Sequence, residues 1–236
     1  MEFYLRDTNP VLLLVPKLSS LVPSSPQYKG TLAALEGAKK SNVRTAEFSI
    51  SGGQPHFQVI FSGSSISSCG SKSNGAPLPS DIALVLHTSG TTSRPKSVPL
   101  THHNLLTTTK NIIQTYSLTA ADRSYLVMPL FHVHGLLAGL LAPLRSGGSI
   151  VIPERFSAGR FWDDFSKYRC TWYTAVPTIH SVLLETPLPK GGVPPIRFIR
   201  SCSSSLPPVV MERLEATFHA PVCEAYAMTE VSWCEM

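Results

Sequence analysis

From Thr101 onward the chain alternates short apolar runs with amphipathic segments, and this rhythm restricts the fold more than any other feature of the sequence. Thr101 is placed to cap a helix whose apolar residues Leu105, Ile112, Ile113 and Tyr116 fall on one face. Phe161 to Tyr168 reads as a helix, Thr171 to Val176 as a strand, Thr178 to Glu185 as a helix and Arg197 to Arg200 as a strand. Pro207 and Pro208 open a helix through Phe218, and Val222 to Tyr226 reads as a last strand. Nearer the start, Val11 to Val15 reads as a strand, Thr31 to Lys40 as a helix and Arg44 to Ile50 as a strand. Strands that alternate with helices run side by side in one direction, because each helix carries the chain back to its starting edge. The expected fold class is therefore α/β, with largely parallel sheets flanked by helices. Between Ser49 and Ser80 the sequence turns rich in Ser, Gly and Pro around a short strand pattern at Phe57 to Phe61, and most of it reads as loop or linker. No repeat of fixed period appears.

Composition narrows the class of partner. A formal charge of +5 over 236 residues is spread among dispersed Lys and Arg and not in a basic block, which favours small anions over a nucleic-acid track, so no nucleic-acid partner is expected. The five cysteines are far apart with no C-x-x-C pair, against a disulfide framework or zinc ribbon and for a reducing compartment. The start lacks the basic region and cleavage site of a signal peptide, and the longest apolar run, Gly135 to Leu144, is too short to span a bilayer. Cys234-Glu-Met carries no peroxisomal tripeptide, so the expected location is the cytoplasm, with no membrane partner.

One stretch behind the apolar run Asp81-Ile-Ala-Leu-Val-Leu raises a phosphate question. Gly90-Thr-Thr-Ser-Arg-Pro-Lys-Ser has the length of a Walker A loop, but Pro95 stands where the second glycine belongs. Proline has no N–H to offer a phosphate and cannot take positive φ. Val98-Pro-Leu reads as extended, so the stretch joins two strands instead of opening a helix. Thr88, Ser89, Thr91, Thr92 and Ser93 nevertheless supply five hydroxyls, Gly90 lets backbone approach and Lys96 supplies charge. On composition alone this is equally the make-up of a polar turn.

Three further segments carry candidate chemistry. His132 and His134 have a spacing that can chelate a metal from one face of a strand, although no third ligand stands in register. Ser201-Cys-Ser-Ser-Ser-Leu is a polar wall or a Ser-rich helix entry. Tyr226-Ala-Met-Thr-Glu alone reads as a strand end meeting a turn. No G-x-S-x-G elbow is present, so a serine hydrolase has no support.

Taken together, the motifs resemble a known superfamily. Thr88-Ser-Gly-Thr-Thr-Ser-Arg-Pro-Lys is similar to the phosphate loop of the adenylate-forming enzymes, Met128-Pro-Leu-Phe-His-Val-His-Gly to their P-L-F-H segment and Tyr226-Ala-Met-Thr-Glu to their Y-G-M-T-E segment. The forms F-H-V-H-G-L-L-A-G-L-L, T-W-Y-T-A-V-P-T-I-H, R-F-I-R-S-C-S and E-A-Y-A-M-T-E narrow the resemblance to plant and fungal oxalate-CoA ligases. The resemblance runs from about Asp81 to Ser232 and implies part of the large domain of such an enzyme. The expected organisation is a weakly matched α/β segment over 1–80, a truncated AMP-binding core over 81–232 and a non-homologous tail over 233–236, where Trp233 replaces the histidine of the oxalate branch.

The resemblance implies ATP-dependent activation of a small carboxylic acid, with magnesium and coenzyme A as the other participants; a full-length relative can carry a peroxisomal address. It assigns the β- and γ-phosphates to Thr88, Ser89, Gly90, Thr91, Thr92, Ser93 and Lys96. Adenine falls to Tyr226 and to the walls formed by Ser201, Cys202, Ser203, Glu224, Ala225, Ala227 and Met228. Thr229 contacts the α-phosphate, Glu230 holds magnesium, and His132 lies near the acyl adenylate. His134 and Ser203 face the acid, with a small diacid such as oxalate as the expected substrate. The ribose-holding aspartate and mobile-domain lysine of the superfamily are not found, so the alternative is a catalytically inactive nucleotide-binding remnant.

Overall fold

The computed structural model describes residues 2–51, 54–60, 75–88 and 95–230, with secondary structure alone given for residues 51 and 54–60. The chain forms two compact units, Met1–Gly75 and Ala76–Met236.

In the first unit, helix α1 (Glu2–Thr8) precedes strand β1 (Leu12–Pro16), helix α2 (Pro26–Lys40) and strands β2 (Arg44–Ser51) and β3 (Gln54–Ile60). β1 pairs in parallel with β2, and β2 turns back antiparallel onto β3. Helix α2 begins five residues before the expected Thr31. Ser25 Oγ accepts from the Tyr28 N–H at 3.1 Å and Pro26 fits the first helical position, where no N–H is needed. β3 also starts earlier than expected, inside the stretch taken as linker. Pairing with β2 decided that segment where composition could not; within the expected linker, residues 52–53 and 61–74 lie outside the described residues.

The second unit opens with an antiparallel pair, β4 (Ile82–Thr88) and β5 (Lys96–Thr101), so the hydroxyl-rich stretch does join two strands. Thr101 then starts α3 (His102–Thr115) through a capping box: its Oγ1 accepts from the Asn104 N–H, and Asn104 Oδ1 accepts from the Thr101 N–H. Next come β6 (Arg123–Leu126), a π-helical segment (His134–Leu141) running into α4 (Ala142–Arg145), and β7 (Ser149–Val151). The unit closes with α5 (Ala158–Lys167), β8 (Trp172–Ala175), α6 (Pro177–Leu184), β9 (Phe198–Cys202), α7 (Pro208–Phe218) and β10 (Val222–Ala225).

Five of these strands make one wholly parallel sheet in the order β10-β9-β8-β6-β7. The α/β expectation holds. Successive residues in a strand point to opposite faces, and burial follows that rule. Tyr125, Tyr173 and Ile199 pack with Phe161, Phe165, Leu183 and Leu214 of the helices that follow β7, β8 and β9. Trp172 and Phe198 pack on the other face with Ile112 of α3, Tyr116 just after it and Leu137 of the π-helical segment.

Strand β6 sits inside this sheet although its sequence, Arg-Ser-Tyr-Leu, carries no run of apolar residues. Its arginine is answered from distant parts of the chain: the Arg123 N–H donates to Thr171 Oγ1 and the Arg123 Nε donates to Ser149 Oγ, both at 2.9 Å, whereas Ser124 Oγ is buried with no partner among the described residues. Asp122, just ahead of it, is buried and accepts from Arg197 Nε at 2.7 Å and from the Thr119 N–H at 2.8 Å.

Strand order places the site. From β6 the chain moves to one side, to β7, and then returns across β6 to β8, β9 and β10 on the other side. The direction of winding therefore reverses between β6 and β8. In open parallel sheets a crevice forms at such a reversal, beyond the carboxyl ends of the strands.

Candidate functional site

A cleft of about 340 Å³ occupies that position. Met128 follows β6, Val176 follows β8, Ser203 follows β9, and Ala227 to Glu230 follow β10; all of them line it together with His132 and His134. A smaller cavity of about 40 Å³ adjoins it, sharing Val133, His134, Ser203, Ala227 and Met228, and is lined also by Arg200, Cys202 and Leu137.

His134 starts the π-helical segment, so the two histidines do not lie on a strand as the chelating geometry required. His132 is exposed at the turn, with its ring 4.6 Å from that of Phe131. His134 is buried, with Nδ1 3.0 Å from Ser203 Oγ and Nε2 2.6 Å from Thr174 Oγ1. Both ring nitrogens thus meet hydroxyls, and the imidazole is held by hydrogen bonds in place of a metal. Burial, reinforced by the nearby Arg200 guanidinium, pulls its pKa down to about 3, so the ring is neutral at physiological pH. Among the described residues no group of three or more His, Cys, Asp or Glu could hold a metal ion.

The entry into the π-helical segment depends on Gly135. A β-carbon there would stand 2.8 Å from the Met128 carbonyl oxygen and closer still to that of Pro129, both backbone atoms unable to swing aside. Gly135→Ala is expected to destabilise the second unit by about 1–3 kcal/mol. A urea titration checks this; an unchanged midpoint would show that the turn yields freely.

Ser203 takes φ of +79°, a conformation uncommon for residues with a side chain. The loop after it is tied down by the Glu224 carboxylate, which accepts from the Leu206 N–H at 2.7 Å. Glu224 therefore serves the wall by fixing that loop. Ser201 is fully buried within β9 and lines neither the cleft nor the cavity, whereas Cys202 lines the cavity. Ala225 is buried at the end of β10, and the Tyr226 ring beside it is 67% exposed, open to stacking. Thr229 and Glu230 stand together on the cleft wall.

Thr88 and Lys96 face each other across the open end of the β4–β5 pair. Lys96 is exposed, and neither residue is among those lining the cleft. Ser89, Gly90, Thr91, Thr92 and Ser93 lie outside the described residues.

Two residues of the site escaped sequence reasoning. Thr174 bridges His134 and Arg200, whose Nη1 donates to it at 3.2 Å. Arg200 is 1% exposed within a strand that is buried throughout. A charge inside the run Phe-Ile-Arg-Ser-Cys was a usable signal, since arginine is almost never fully buried without a partner or a task.

A family model described as AMP-binding enzyme matches residues 1–235, and the chain belongs to that family. The match includes the leading residues, where no motif is readable. It is 48% identical to an oxalate-CoA ligase of Arabidopsis thaliana over 98% of this chain and 43% of that protein. To an oxalate-CoA ligase of Saccharomyces cerevisiae it is 44% identical, over 98% of this chain and 44% of the other. The fold is similar to that of ATP-bound MatB from Rhodopseudomonas palustris, with a TM-score of 0.72 at 24% identity, over 97% of this chain and 42% of that one. The chain thus spans less than half the length of the relatives it matches.

Proposed function

We propose that this chain serves the ATP-dependent activation of a small carboxylic acid, of the oxalate class, and its transfer to coenzyme A, with 81–232 as the motif-bearing AMP-binding part. The observation that carries this reading is the convergence of His132, His134, Ser203, Thr229 and Glu230 on one cleft, although they come from three separate loops beyond the sheet. The identity to two oxalate-CoA ligases supports the substrate class.

In such a reaction a carboxylate oxygen of the acid attacks the α-phosphorus of ATP and pyrophosphate leaves. The thiolate of coenzyme A then attacks the acyl carbon and AMP leaves. Positioning and charge neutralisation are most of what the protein must supply. Thr88 to Ser93 and Lys96 take the β- and γ-phosphates; Thr88 Oγ1 is buried with no hydrogen-bond partner among the described residues, as a group awaiting a ligand would be. Tyr226 stacks on adenine against the wall formed by Cys202 and Ser203 and the segment Glu224 to Met228, with Ser201 buried behind that wall. Thr229 contacts the α-phosphate, and His132 stands beside the forming adenylate. His134, neutral at working pH, and Ser203 meet the acid. Magnesium keeps several waters and needs one or two carboxylates besides the phosphates; Glu230, the one carboxylate lining the cleft among the described residues, suits it.

Calorimetric titration with Mg-ATP tests the reading. Saturable binding is expected, and Lys96→Ala should weaken it by about 10- to 150-fold, the effect of losing a hydrogen bond between charged groups. An unchanged affinity would remove Lys96 from the phosphate site, and no nucleotide binding by the folded chain would sink the proposed function.

A further inference from the structure

We infer that Thr174, which does not line the cleft, is a positioning residue for acid binding: its hydroxyl fixes His134 as the tautomer protonated at Nδ1, and that tautomer turns the O–H of Ser203 towards the cleft, to meet an anionic oxygen as a donor. The inference rests on the acid-activating reading above and adds to it a direction for the hydrogen bonds behind the acid.

The direction is set where Thr174 meets Arg200. A guanidinium has donors and no acceptor, so the contact of 3.2 Å between Arg200 Nη1 and Thr174 Oγ1 uses the hydroxyl oxygen as acceptor. The hydrogen of that hydroxyl then has one other partner among the described residues, His134 Nε2 at 2.6 Å. Thr174 is 1% exposed, so water does not serve it. Were Nε2 to carry a proton, Thr174 Oγ1 would accept twice and its own hydrogen would be buried without an acceptor, a penalty that the other arrangement avoids. Nε2 is therefore bare and accepts from Thr174. The hydroxyl itself is held firmly, because β8 lies between β6 and β9 and is paired with both.

A neutral imidazole carries a single proton, and burial keeps this ring from taking a second at neutral pH. With Nε2 bare, the proton sits on Nδ1, which donates to Ser203 Oγ at 3.0 Å. Ser203 Oγ thus accepts from the ring, and its own hydrogen, with no other partner among the described residues, turns away from His134 into the cleft that Ser203 lines. The reverse tautomer would draw that hydrogen onto Nδ1 and show the cleft only lone pairs, which repel a carboxylate. Ser203 is not free to correct this by moving. Its φ of +79° and the Glu224 carboxylate, which accepts from the Leu206 N–H, fix the turn that carries it. A buried threonine that touches no ligand therefore decides whether the site offers an anion a donor or a repulsive acceptor.

The tautomer can be read directly. In the whole chain made with nitrogen-labelled histidine, a long-range proton–nitrogen correlation spectrum, assigned with the help of His134→Gln, should show His134 protonated at Nδ1 and bare at Nε2. Thr174→Val keeps the shape and removes the hydroxyl, so that preference should be lost. Oxalate, titrated by calorimetry in the presence of magnesium and a non-hydrolysable ATP analogue, should then bind about 10-fold more weakly, while the analogue binds as before. Thr174→Ser restores the hydroxyl and should bring oxalate affinity back to within about threefold of wild type. A wild-type ring protonated at Nε2, or a Thr174→Val protein with unchanged tautomer and oxalate affinity, would overturn the inference, as would Thr174→Ser binding as weakly as Thr174→Val. If Thr174→Val does not fold, the wild-type spectrum and Thr174→Ser decide. A chain with the proton on Nδ1 that binds neither analogue nor oxalate loses the activation reading and keeps the direction of the hydrogen bonds, which the spectrum reads without a ligand.

Discussion

Acidification from about pH 6.5 to pH 4 is expected to remove about 6 kcal/mol of stability from the second unit through two histidines alone. His134 and His180 are both buried, and burial lowers their pKa values from 6.5 to about 3 and about 4. The backbone carbonyls of Ala175 and Arg200 oppose that shift at His180, and Arg200, His180 and His132 add to it at His134. Because the folded values lie below the unfolded one, the unfolded chain binds more protons throughout this window. The stabilisation is complete above about pH 6.5 and is lost as pH falls towards the folded pKa values. A domain stable by about 5–15 kcal/mol would then be close to unfolding at pH 4. Thermal melts across that range should show a steep fall in Tm, and a flat profile would mean that one or both rings are protonated in the folded protein.

Removing the ring of Phe161 is expected to be the most damaging single truncation in the core. Phe161 has no exposed surface, and its ring meets those of Trp162, Tyr173, Tyr125 and Phe165 at centroid distances of 4.9, 5.0, 5.2 and 5.5 Å. A cavity at the centre of that cluster cannot be filled by one neighbour without disturbing the others, so Phe161→Ala should cost about 3–5 kcal/mol. Phe131→Ala, where the ring is 72% exposed, should stay within about 0.5 kcal/mol of wild type. Tryptophan fluorescence in urea reports on the right unit, since Trp162 and Trp172 lie on opposite faces of its sheet. A loss below about 1 kcal/mol for Phe161→Ala would show that the cluster repacks.

Both effects bear on the site through the same sheet. Phe161 and His180 belong to helices that cover the face opposite the small cavity, and Tyr173 touches both while Thr174, the next residue of β8, holds His134 and Arg200. The polar cluster is therefore only as ordered as the strand that carries it, which gives nucleotide and acid affinity a reason to fall with pH before the unit unfolds.

The sequence by itself determined the class of the fold and the parts of the site that are local. Alternating apolar strands and amphipathic helices leave few arrangements other than a parallel sheet, and a capping residue such as Thr101 states where a helix begins. The hydroxyls near Lys96 and the segment Tyr226 to Glu230 could be read as candidates because each is a contiguous motif whose chemistry does not depend on distant residues. β6 could not be read so: four residues that begin with Arg become a central strand because Thr171 and Ser149, distant in sequence, accept from the Arg123 N–H and Nε, and because β7 and β8 pair with it on either side. Gln54 to Pro55 likewise became strand through pairing with β2, against their composition. What only the tertiary structure decided is which residues meet. Thr174 of β8, His134 of the π-helical segment, Arg200 of β9 and Ser203 just after β9 converge because the winding of the sheet reverses between β6 and β8. The same packing turned Ser201 inward, since alternate residues of β9 face opposite sides of the sheet, and it kept His134 neutral by excluding water from the face where Arg200 lies.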